Sequence, residues 1–324
     1  MKKTLVPFFL AFSLIAGLLA GCGSNNAISS PEESNLPDKL SSEAAKPAKD
    51  REGNTVTIPD KLERIISTAP SNTEILTGLG VADKLVAVDK YSADVEGIPE
   101  GIPKINFRDP DAEALVDLKP DIIIASGHNR KGDEDPFALL KEAGICVVYI
   151  PSSNSIDGIY GDIEFLASLT GREEKGREMI DSYRTEVDKI TSLRDRAKLD
   201  KKKKVYFEIA PAPDLSSFGK NTFLNEFLEI VGAENIFAAE DGWISPNAEA
   251  VIAADPDVIL TNVSYMDNAT DEIKAREGFH SIHAVKNNAI FLIDANLSSR
   301  PSQLSVKALK QIAKAVYPEL YSDL

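Results

Sequence analysis

One 18-residue pattern occurs twice in this chain, and that repetition constrains the fold more than any other feature. Residues 109–126 read DPDAEALVDLKPDIIIAS and residues 245–262 read SPNAEAVIAADPDVILTN, aligned without a gap. Each copy predicts a short helix, an exposed Pro-Asp turn and then a continuous apolar run. Such a run suits a strand buried on both faces, as in a parallel sheet covered by helices. Pro120 and Pro256 mark the boundary, since proline fits neither a helix interior nor a central strand. An aromatic residue leads each copy, Phe107 in the first and Trp243 in the second. Glu113 and Glu249 fall at the same repeat position near each helix start, where the helix dipole alone would favour a carboxylate. Copies 136 residues apart predict two lobes of similar build.

The remaining segments alternate between strand and helix patterns, which implies an α/β fold with a mostly parallel sheet in each lobe. Strands are expected at 64–68, 84–89, 121–125 and 145–150, then at 205–209 and 289–293, with Ser71 as a helix N-cap and Glu74 as its capping-box partner. Helices are expected over 136–143, 222–231, 271–277 and 302–316. Ligands in such sheets sit beyond the carboxyl ends of the strands, so loops 69–72, 90–94, 105–109 and 126–132 should surround one opening. Between the lobes, Ile156, Ile159, Tyr160, Ile163, Leu166, Tyr183, Val187 and Ile190 recur at helical spacing. They predict one long linking helix over 155–204, kinked near Gly171 and ending in the solvated basic run Lys201–Lys204.

The N-terminus reads as an address. Lys2 and Lys3 precede an apolar run over residues 5–19, followed by Ala20, Gly21 and Cys22. That run is short for a membrane span, which takes about 20 residues, and fits a secretory signal over 1–22 whose lipobox ends in a lipidated Cys22. The alternative is an ordinary cleaved signal beside a chance cysteine. Residues 23–50 are poor in large apolar side chains and read as a flexible tether. The first lobe is then placed at 51–154 and the second at 205–324. With Cys22 lipidated, Cys146 is left without a disulfide partner. The formal charge of −15 becomes −17 once Lys2 and Lys3 are lost with the signal, which argues against nucleic-acid binding.

The pieces IISTAPSNTEILTGLG, DAEALVDLKPDIIIAS, FLEIVGAENIF, NAEAVIAADPDVIL and SSRPSQ, with the long helix between them, resemble the substrate-binding proteins of ABC importers for cobalamin and ferric siderophores. The resemblance runs in order over residues 55–318. It implies two α/β lobes joined by one long rigid helix, a ligand held between them, and no cofactor of the protein's own. It also implies a monomer lipid-anchored at the extracellular face of the membrane, as in Gram-positive bacteria, and a permease partner. One surface Glu on each lobe docks onto the permease in that family, and those positions match Glu113 and Glu249.

In the cobalamin binders, aromatic residues line the cleft; Tyr91, Phe107 and Trp243 match that pattern, and Arg300 matches its arginine. Ser126 and Ile209 stand where further aromatics would be, and Leu304 stands where a second arginine would be. Siderophore binders instead set Arg or Lys against an anionic ferric chelate, a role open to Arg108, Arg130, Lys220 and Arg300. The first expectation is a corrinoid on Tyr91, Phe107 and Trp243, with Arg300 and Arg108 at its polar edge; the second is a ferric siderophore. A surface enzyme, a bare metal-ion binder and an adhesive lipoprotein explain less. The only histidines are His128, His280 and His283, no GxSxG, HExxH or Gly-rich phosphate loop is present, and no metal site is expected.

Overall fold

The structure is a computed structural model that describes residues 46–129, 132 and 134–324. The expected signal, Cys22, most of the tether and Arg130 lie outside the described residues.

The first lobe contains β1 (Ile65–Ser67), α1 (Pro70–Gly78), β2 (Leu85–Asp89), β3 (Lys104–Ile105), α2 (Ala112–Asp117), β4 (Ile122–Ser126), α3 (Ala138–Glu142) and β5 (Cys146–Ile150). Two helices follow, α4 (Ile156–Thr170) and α5 (Glu173–Ala197). The second lobe begins with β6 (Lys204–Glu208), β7 (Ser217–Phe218), α6 (Phe223–Val231), β8 (Glu234–Asn235) and β9 (Trp243–Ile244). It continues with α7 (Ala248–Ala254), β10 (Val258–Thr261), α8 (Ala269–Ala275), α9 (His283–Lys286), β11 (Ile290–Leu292), α10 (Ala295–Ser299) and α11 (Val306–Val316). The first sheet is parallel with order β3-β2-β1-β4-β5, the second parallel with order β11-β10-β6-β8, and β7 pairs antiparallel with β9.

The repeat is structural down to single hydrogen bonds. Asp111 and Asn247 cap α2 and α7, each side chain accepting from the backbone N–H three residues on. A left-handed residue follows each helix, Lys119 at φ 46° and Asp255 at φ 48°, and swings the chain into Pro120 or Pro256. Asp121 and Asp257 then accept from the backbone N–H of Arg64 and Lys204, and those two side chains donate back to the carbonyls of Leu118 and Ala254. The basic residue therefore fastens the helix end to the next strand and neutralises unpaired carbonyls there. Even the register repeats, with Ile65 opposite Ile122 and Val205 opposite Val258.

Period-two alternation divides each buried strand between two cores. Ile122 and Ile124 face an inner cluster while Ile123 and Ala125 face an outer one; Val258 and Leu260 point inward and Ile259 outward. The inner cluster is shared. It runs from β1 and β4 through α4 and α5 to β6, β10 and α11 without a break.

Two sequence expectations are corrected in this frame. The single kinked helix is a pair, because Gly171 adopts φ 67° and Arg172 N–H closes back on the Ala167 carbonyl at 2.8 Å. The chain reverses there, and Tyr160 meets Tyr183 edge-on at 5.4 Å. At Gly176 an added Cβ would lie 2.6 Å from that of Ala167, so only glycine permits this approach. Residues 46–50, expected in the tether, are seated on the first lobe: Asp50 is buried and accepts from Tyr149 N–H.

Candidate functional site

Parallel strands end on one edge of each sheet, and the helices that precede β4 and β10 run antiparallel to them. That topology carries the loop after every strand, and the N-termini of α2 and α7, to the same edge. Glu113 and Glu249 occupy the second position of those helices, and both are exposed. The arrangement offers one exposed carboxylate from each lobe, at the edge where the parallel strands end.

The cleft loops present aromatic surface. Tyr91 and Trp243 are 56% and 59% exposed, large values for apolar rings. Half-buried Phe107 lies 5.9 Å from the Tyr91 ring, with Arg108 over its face and Lys90 over that of Tyr91. Tyr91 is placed by Asp89, whose carboxylate accepts from its backbone N–H. The Phe107 loop is held by Asn129, a buried peg that donates to the Phe107 carbonyl and accepts from Thr68 and from Ser126 N–H. Trp243 stands on β9 edge-on to buried Phe218. Beneath it, a Cβ on Gly219 would come within 2.2 Å of the Glu240 carbonyl oxygen, so this crossing requires glycine.

Arg300 is committed to protein partners. It donates to Glu74 at 2.9 Å, to Asp94 at 2.8 Å and to the Tyr91 carbonyl at 2.9 Å, with 11% of its side chain exposed. Burial opposes its charge, but the two carboxylates outweigh that and raise its pKa further. Glu74 is itself raised by burial, against the hydrogen bonds of Ser302 and Arg300. Burial also works against the Asp94 charge, yet Arg300 holds that carboxyl below its ordinary range. The expected role of Glu74 as partner to a Ser71 cap is thereby corrected. The helix begins earlier, with Ala69 at the cap and Pro70 in the first turn, where the missing N–H costs no hydrogen bond; Glu74 turns inward to Arg300.

Arg108 remains exposed beside a cavity of about 380 Å³ that also touches Asp109, Glu134 and Asp135. His128 follows the end of β4; protein crowding around its ring and the charge of Arg108 lower its pKa, favouring the neutral imidazole. Ser126 is buried and Ile209 half-buried. Among the described residues, no group of three or more His, Cys, Asp or Glu is placed to hold a metal ion.

Sequence reasoning missed Tyr265, which is 74% exposed in the loop after β10. The rule that selected loop 126–132 at the end of the first copy selects this loop too, had it been applied to the second. Asp94 was also missed, since nothing local shows that a loop carboxylate will meet an arginine 206 residues away.

Residues 65–297 match the periplasmic binding protein family. An uncharacterized ABC transporter substrate-binding lipoprotein of Bacillus subtilis, YvrC, is 29% identical over the whole of both chains. A vitamin B12-binding protein of Yersinia pestis is 32% identical over 66% of this chain and 73% of its own. Among solved structures, a possible iron-binding periplasmic solute-binding protein of Staphylococcus epidermidis is 33% identical, with a TM-score of 0.71 over 80% of this chain and 100% of its own. Family match, repeated lobes and a cleft at the strand ends agree: the chain belongs to the periplasmic binding protein family, among the two-lobed substrate-binding proteins of ABC importers for cobalamin and ferric chelates.

Proposed function

We propose that the protein is the lipid-anchored capture subunit of an importer for a corrinoid. In this reading the ligand lies on Tyr91, Phe107 and Trp243, with Arg108 at its polar edge, and Glu113 and Glu249 dock the loaded protein on the permease. Arg300 contributes from behind, holding the Tyr91 loop across the lobes. Cys22 carries the lipid at the outer membrane face, a placement supported by the full-length likeness to a substrate-binding lipoprotein.

The observation that carries the corrinoid reading is the neutralisation of Arg300. A receptor for an anionic ferric chelate needs cleft cations free to meet it, and this arginine is already matched by Glu74 and Asp94. Exposed aromatic surface suits a broad and mostly neutral macrocycle instead. A ferric siderophore is the second reading, favoured by exposed Arg108 and by the likeness to a possible iron-binding protein of Staphylococcus epidermidis.

Trp243 is the chain's single tryptophan, so its fluorescence reports on the cleft. The test titrates the protein with cyanocobalamin, then ferric siderophores and haem, corrects for ligand absorption and checks each hit by calorimetry. Saturable quenching by cyanocobalamin with Kd below about 1 µM is expected. Binding of ferric siderophores alone would transfer the assignment to iron uptake.

A further inference from the structure

A second cavity, of about 520 Å³, opens beside Trp243 where the two lobes meet. Ser152 and Asn154 line it from the connection between β5 and α4; Asn221, Glu226 and Asp241 line it from the second lobe. Its chemistry is one-sided, because the lining holds two carboxylates and no basic residue. Each carboxylate spends one oxygen on structure. Glu226 Oε2 accepts from Ile156 N–H at the start of α4, 2.7 Å away, and Asp241 Oδ1 accepts from Asn221 Nδ2 at 3.0 Å. The other oxygens, Glu226 Oε1 and Asp241 Oδ2, remain as acceptors on the walls. Burial holds the Glu226 carboxyl above its ordinary range, as expected of an anion short of partners.

The walls are also fixed in place. Asn221 sits in the left-handed region at φ 61°, a conformation that asparagine tolerates better than most residues. Reciprocal backbone hydrogen bonds join Lys220 to residues 240 and 242, and the glycine-only crossing at Gly219 lies directly beside them. This is a preformed concave surface, bordered by an exposed indole and rich in acceptors.

We propose that this cavity is a subsite for hydrogen-bond-donating arms of the ligand, primary carboxamides or ammonium groups, and that it rejects arms ending in carboxylate. The inference rests on the receptor reading above and sharpens it by naming the periphery that the ligand must carry. Donor arms satisfy the free oxygens, whereas a carboxylate arm meets like charges there, one of them on the partly desolvated Glu226.

The test uses matched probes on two scaffolds. Cyanocobalamin, which bears carboxamide arms, is compared with each of its singly hydrolysed acids. Ferrioxamine B, which ends in ammonium, is compared with its N-succinyl derivative, which ends in carboxylate. Each pair is titrated by calorimetry against the wild type and the Glu226→Gln/Asp241→Asn double variant; both amides retain an oxygen to accept the structural hydrogen bonds. On whichever scaffold binds, the donor-ended probe should win by about tenfold or more over at least one acid partner. In the double variant that ratio should fall to within about twofold. Equal affinities in the wild type, or a preference that survives the double substitution, overturn the subsite and leave the receptor reading standing. Binding of neither scaffold overturns both.

Discussion

The two copies of the repeat are nearly superposable in their bonds and opposite in what they display. Both have the capped helix, the left-handed turn, the returning cation and the exposed glutamate. Three residues past the end of each copy the likeness stops. Asn129 is a buried peg that pins the Phe107 loop, whereas its counterpart Tyr265 is 74% exposed. The difference teaches where this fold tolerates change. Helix, turn and strand are locked by backbone bonds, while the loop at the strand's end carries a buried peg in one copy and an exposed aromatic in the other at no cost to the frame.

The broadest test of the shared half reverses charge on both lobes. Glu113→Arg/Glu249→Arg should abolish import in a transport assay while leaving ligand affinity unchanged; import that survives removes the docking role. Next in size is the bond between the lobes. Arg300→Met leaves Glu74 buried without its cation and should cost about 3–5 kcal/mol of stability in denaturant unfolding. A stability close to that of the wild type would show that the pair does not hold the lobes.

Display differences come third. Trp243→Ala should weaken ligand binding by about 2 kcal/mol. Tyr265→Ala should cost about 1 kcal/mol, since an aromatic so exposed gains contact only from the ligand. Equal losses at both positions would mean that the second lobe's loop matters as much as its hairpin. The smallest effect separates the two turns. Lys119→Gly should stabilise the protein by about 1 kcal/mol by relieving its left-handed strain. Asp255→Gly should not, because Asp255 also accepts from His283 N–H and its side chain meets the His283 ring. An equal gain at both turns in thermal unfolding would deny Asp255 that second function.

Much of the frame was legible in sequence because it depends on local rules. Buried strands announce themselves as runs such as 122–126, and proline and the paired Pro-Asp turns fix their starts. The lobes could be paired because Glu113 and Glu249 share a register. Trp243, Tyr91 and Phe107 were singled out from their places beside strand ends and from the family pattern; in the structure Tyr91 and Trp243 are exposed and Phe107 packs beside the Tyr91 ring. What escaped was non-local. The capping box at Ser71 and Glu74 fits its motif, but a tertiary partner 226 residues away claims the glutamate. Helical periodicity continues through 156–190 whether the chain bends or reverses at Gly171, so spacing alone could not distinguish a kink from a hairpin. Short strands such as β7 and β9, two residues each, lack any period to read.

The inner core that passes unbroken through both lobes has a mechanical consequence. Prising the cleft apart means separating side chains that now exclude water, at about 2.5 kcal/mol for each 100 Å² of apolar surface exposed. Thermal fluctuation will sample small openings readily and wide ones seldom. The molecule thus behaves as a sprung clip more than as a hinge, and emptying it calls for leverage from outside, applied where the two lobes can be gripped separately.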